Sequence, residues 1–77
     1  MPTILRRGPY RLFFFSDEGR EPPHVHIERD NLTAKCWLRP VHLGRNDGFS
    51  AKELRVILKL VEDHEEACWQ AWSDYFG

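Results

Sequence analysis

The segment from Pro23 to Arg39 alternates apolar and polar residues on either side of Asp30-Asn31, and no other feature constrains the fold as strongly. Strict alternation marks a strand with one buried face, and Asn tolerates the positive φ that a two-residue reversal demands. A hairpin closed on that turn pairs Arg29 with Leu32, Glu28 with Thr33, Ile27 with Ala34, His26 with Lys35, Val25 with Cys36 and His24 with Trp37. Val25, Ile27, Ala34, Cys36 and Leu38 then share one face, and His24, His26, Glu28, Thr33, Lys35, Trp37 and Arg39 share the other. A slip of one residue would mix the two sets, so the pattern selects its own register.

Around this hairpin the chain supplies more strands and then a helix. Thr3 to Arg7 and Tyr10 to Ser16 are β-prone runs split by Gly8-Pro9, a turn dipeptide. Leu12-Phe13-Phe14-Phe15 is apolar on both parities, so that strand needs cover on both faces, from its own fold or from a partner. Asp17 to Glu21 reads as a polar loop, and Pro22-Pro23 stiffens the approach to the hairpin. Pro40 ends the second hairpin strand, and Val41 to Arg45 is a short fifth strand before Asn46-Asp47-Gly48. Ser50 with Glu53 three residues on forms a capping box, with Phe49 as the outer half of a staple against Leu54. From Ala51 to Phe76 the apolar residues keep helical spacing, interrupted by Glu65. One helix of that length would run about 39 Å, against roughly 20 Å for a six-residue strand. It therefore breaks near Asp63-His64, or its Trp69, Trp72, Tyr75 and Phe76 end reaches toward another chain. The expected fold is α+β: a four- to five-stranded antiparallel sheet over residues 3–45, then one long or broken C-terminal helix over 50–76, in a single domain, 1–77.

Seventy-seven residues leave no room for a second domain, and 42% apolar with 30% charged residues excludes a disordered chain. No apolar run could span a membrane and the N-terminus does not read as a signal peptide, so a cytoplasmic protein without membrane contact is expected. Cys36 and Cys68 have neither the density nor the spacing of a disulfide or zinc framework and read as buried thiols. The net charge of −1 conceals a division: residues 1–61 carry +4 and residues 62–77 carry −5. The basic part admits a polyanion without demanding one.

The polar face of the hairpin is where chemistry is expected. Residues i and i+2 of a strand point the same way, which makes His24 and His26 neighbours, with Lys35 and Trp37 across from them. Two imidazoles beside an ammonium suit cleavage of an RNA phosphodiester: one ring takes the 2′-hydroxyl proton, the other protonates the leaving oxygen, and Lys35 or Arg39 offsets the charge on phosphorus. Trp37 could stack a base, with Arg39 and Glu28 completing the binding face, and no metal or other cofactor is required. The plainer reading is a solvated sheet face of the kind antiparallel sheets usually carry. Metal binding by His-x-His lacks a third ligand, the only reserves being Glu28 and His42. Trp69, Trp72, Tyr75 and Phe76 exceed what one helix layer on a sheet needs, which suggests an interface with a second copy or a small protein partner.

Six blocks, M-P-T-I-L at 1–5, F-F-S-D-E-G at 14–19, E-P-P-H-V-H at 21–26, A-K-C-W-L-R-P-V at 34–41, G-F-S-A-K-E-L at 48–54 and W-S-D-Y-F at 72–76, together resemble a bacterial family of small proteins, domain of unknown function 4160. Cys36 stands where that family carries a bulkier apolar residue. Members are often encoded beside a second small family, number 2442, some of whose proteins carry a helix-turn-helix, and the resemblance thus implies a toxin–antitoxin-type pair. The family brings no catalytic residues with it. Two functions follow as expectations: a subunit of such a pair acting on RNA through His24, His26, Lys35 and Trp37, with metal-independent ribonuclease-like activity, or a non-catalytic interaction or antitoxin module that dimerises through its aromatic helix.

Overall fold

A computed structural model describes residues 3–77; Met1 and Pro2, which open the M-P-T-I-L block, lie outside the described residues. Five antiparallel strands follow in chain order, β1 (Thr3–Arg7), β2 (Tyr10–Phe13), β3 (His24–Arg29), β4 (Leu32–Trp37) and β5 (His42–Asp47), and two helices follow them, α1 (Ala51–Asp63) and α2 (Glu65–Phe76). The sheet is a simple meander, each strand pairing with the next. No helix of the described residues is long and apolar enough to cross a membrane.

The alternating hairpin forms in the register its pattern dictates, from His24 opposite Trp37 to Arg29 opposite Leu32. Asp30 takes the positive φ of the reversal, at 55°. Val25, Ile27, Ala34 and Cys36 face the core and meet Ile57 and Val61 of α1 and Cys68 of α2. Gly8-Pro9 turns β1 into β2 with Arg7 opposite Tyr10, and Leu12 opposite Ile27 continues the apolar face one strand further.

Several strand boundaries differ from those expected, β5 among them in starting at His42 instead of Val41. Strand β2 stops at Phe13 rather than Ser16, because Phe15 and Glu18 are drawn into a turn closed by the Glu18 amide on the Phe15 carbonyl at 3.3 Å. Strand β4 stops at Trp37, where Arg39 takes φ 52° and leaves the sheet. Strand β5 runs to Asp47, two residues beyond Arg45, pairing Asp47 with Thr33.

Ser50 caps α1, its Oγ accepting from the Glu53 amide at 3.1 Å. Only that half of the capping box forms, since the Glu53 carboxylate is drawn away to Arg29 and Tyr10. The helical stretch breaks at His64, the first of the two alternatives. The His64 amide is shared between the carbonyls of Leu60 and Val61, and its Nδ1 donates to the Leu60 carbonyl at 2.9 Å. Arg7 donates to the other ring nitrogen at 3.4 Å. Beyond the joint, α2 packs against β1 and β3 of the same chain.

Candidate functional site

The open face of the sheet begins with Phe13 and His26, neighbours across the β2–β3 ladder, their rings stacked with centroids 5.4 Å apart. Phe15, 40% exposed, packs edge-on to the same imidazole at 5.0 Å. Across β4, the Lys35 ammonium lies 4.3 Å from the centre of the Trp37 ring and pairs with Glu21. Trp37 in turn lies against β5 at Gly44. The ladder is bulged there: Lys35 pairs with Arg45 and Cys36 with Leu43, which leaves Gly44 as the extra residue. A Cβ at Gly44 would sit 2.7 Å from the indole Nε1, so a larger residue would displace the ring. Phe15, His26, Lys35, Trp37 and Arg45 thereby line a cavity of about 540 Å³, within the size range of ligand sites.

His24 does not share that exposure. Its side chain is completely buried, contrary to the expectation that both imidazoles lie open. The aromatic end of α2 rounds the end of β3, and the Trp72 ring reaches both Phe14, at 5.4 Å, and His24, at 4.9 Å. A general base must touch the proton it removes, so an acid–base pair built from His24 and His26 on one bound RNA is not what this geometry provides. His24 Nδ1 lies 3.0 Å from the Pro22 carbonyl, which can only accept, so that nitrogen carries the proton and donates.

Glu18 brings the two rings together. Its Oε1 lies 3.0 Å from His24 Nε2 and its Oε2 lies 2.9 Å from His26 Nε2. The carboxylate is held there by the Phe15 amide, which donates to Oε1 at 2.9 Å. Burial works to raise the Glu18 carboxyl, but the Phe15 amide and the His26 imidazole outweigh it and hold the group below its ordinary value. Burial likewise pushes His26 below the usual imidazole range, against the pull of Glu18. The loop bearing Glu18 is pinned through Gly19, where a Cβ would come within 2.6 Å of the Phe76 ring. Glu18 was not singled out from sequence; its only signal there is a carboxylate six residues before His24 in a short loop.

The remaining expected residues are dispersed. Glu28 turns to Arg11 at 3.2 Å, and His42 Nδ1 donates to the Pro40 carbonyl at 2.7 Å, so neither reserve ligand joins the histidines. Arg39, expected on the hairpin's polar face, lies instead on α2: its guanidinium is 3.9 Å from the Trp69 ring centre and pairs with Glu65 and Glu66. The cause is the end of β4 at Trp37, after which side chains no longer alternate. Of the four aromatic residues assigned to an interface, Trp72 is 6% exposed and Trp69 packs on the core. Phe76 is half-buried, in contact with Trp72 at 4.3 Å, while Tyr75 remains 52% exposed.

Compared with curated proteins and with solved structures, the chain matches none. A family model matches residues 10–73, a span that runs from β2 into α2 and contains Glu18, His24 and His26. The chain therefore belongs to the family described as Domain of unknown function (DUF4160).

Proposed function

We propose that this protein is a subunit of a toxin–antitoxin-type pair and contacts single-stranded RNA through the groove on the open face of its sheet. The observation that carries the reading is the pairing of a half-exposed indole, Trp37, with Lys35 and Arg45 in one cavity. Aromatic platforms interleaved with cations are how sequence-tolerant proteins hold unpaired bases and their backbone. Lys35 stands over the Trp37 ring in the free chain and swings to a flanking phosphate as a base takes its place on the indole, Arg45 meets a second phosphate, and His26 is the imidazole that lines the groove. The role is binding, because the second ring needed for acid–base transfer is sealed away. The module that dimerises through its helix is the weaker reading, since Trp72 and Trp69 already pack within the chain.

Fluorescence anisotropy of a labelled single-stranded RNA with the full chain tests this. Trp37→Ala should weaken binding by about 5- to 150-fold, the range expected for loss of one base–aromatic stack. Lys35→Ala should weaken binding and reduce its dependence on salt by about one charge. RNA that fails to bind at low salt, or binds Trp37→Ala as well as the parent, overturns the reading.

A further inference from the structure

The ligand-bearing atoms of Glu18, His24 and His26 all lie within 4.8 Å of one another. Two of them, the imidazole nitrogens, sit about 3 Å from the carboxylate that divides them. For metal–ligand bonds of about 2.1 Å, tetrahedral ligand atoms stand roughly 3.4 Å apart. The two carboxylate–imidazole spacings fall about half an ångström short of that value, and small side-chain shifts would bring all three ligand atoms, already within 4.8 Å of one another, onto one ion.

His24 shows what that spacing is for. Its Nδ1–H is committed to the Pro22 carbonyl, which leaves the lone pair on Nε2. That nitrogen is fully buried and has no hydrogen-bond partner. Glu18 Oε1 is near it at 3.0 Å, but the alignment a hydrogen bond needs is missing, so the lone pair points beside the carboxylate. Burying a polar atom without a partner is costly, and His24 leaves this nitrogen unpaired while its ring packs against Trp37 and Trp72. A metal-binding histidine shows this same division, one nitrogen donating to a backbone carbonyl and the other left bare for the ion. Glu18 is oriented in the same manner by the Phe15 amide.

We propose that Glu18, His24 and His26 form a mononuclear site for a first-row divalent transition ion, zinc being the reference case. Two imidazoles and one carboxylate disfavour magnesium and calcium, which prefer all-oxygen sets. Trp72 closes the His24 side, while Glu18 and His26 both line the 540 Å³ groove. The fourth coordination position therefore opens on the groove, where a water or a ligand oxygen would complete the tetrahedron. This site is independent of the RNA reading: it rests on the three side chains and needs none of Trp37, Lys35 or Arg45.

The experiment is a titration of the full chain, stripped with a chelator, with zinc chloride against a chromophoric competitor. One zinc per chain is expected. Glu18→Gln and His26→Ala should each weaken binding by at least about 100-fold, beyond the 10- to 100-fold typical of lost supporting contacts. His42→Ala should bind as the parent does. Because substitutions in the cluster could unfold a small domain, the parent chain is also followed by nuclear magnetic resonance of its histidine ring nitrogens. Zinc should shift the Nε2 signals of His24 and His26 and leave those of His42 and His64 in place. Absence of stoichiometric binding, or zinc that moves His42 or His64 instead, overturns the proposal.

Discussion

At the scale of single residues, the two cysteines show how burial sets reactivity. Both are free thiols with no exposed surface. Burial pushes the Cys36 thiol up to about 12, helped by the nearby Cys68, and the Cys68 thiol up to about 11, helped by Glu65. Only a thiolate is nucleophilic, so iodoacetamide at pH 8 should leave the native chain unmodified and label both cysteines in denaturant, as intact mass would record. Labelling of the folded chain would contradict the packing of β4 against α2. Cys36 was legible in advance because strand parity places it inward. Glu18 was not, because its position depends on a turn held by Phe76, 58 residues further on, and no local pattern encodes a contact across that distance.

At the scale of elements, Glu53 joins three of them. From the first turn of α1 it accepts from Tyr10 of β2 at 2.7 Å and from Arg29 of β3 at 2.8 Å. The hydrogen bonds from Arg29, then that from Tyr10, hold its carboxyl below the ordinary 4.5 despite some desolvation. A carboxyl depressed by folding contributes stability that is present above the unfolded value and lost as pH falls through the folded one. Thermal melts between pH 6 and pH 3 should therefore show a fall in Tm below about 4.5 that Glu53→Gln reduces, together with a lower Tm for that variant at neutral pH. An unchanged acid limb would place the acid sensitivity elsewhere. The helix start itself was readable from Ser50, whose cap is a local device. The destination of the Glu53 side chain was not, because Arg29 outcompetes the backbone amide that a capping box offers, and that competitor comes from another strand.

At the scale of the whole molecule, α2 is the element that closes the fold. Trp72 sits among Phe14, His24 and Phe76, and its truncation to alanine should cost about 3–5 kcal/mol. A domain of this size holds only about 4–12 kcal/mol in total, so urea denaturation should show a midpoint lowered by a large fraction or a lost cooperative transition. Tyr75→Ala, on the same helix but half in solvent, should stay within about 1 kcal/mol of the parent. Equal effects from the two would mean that the aromatic end does not pack as described. The sheet order and the central register could be read ahead because each strand meets its sequence neighbour through a short turn. The burial of His24 could not, since it comes from Trp72, 48 residues further along the chain.

Trp72 and Phe76 grip two things at once: one stands over His24, the other rests on the glycine beside Glu18. Prising that last helical turn away would wet the imidazole and slacken the acidic loop in a single movement. A binding protein that took hold of Tyr75, the one ring of the group left largely outside, would have a lever on a carboxylate and a histidine it never touches.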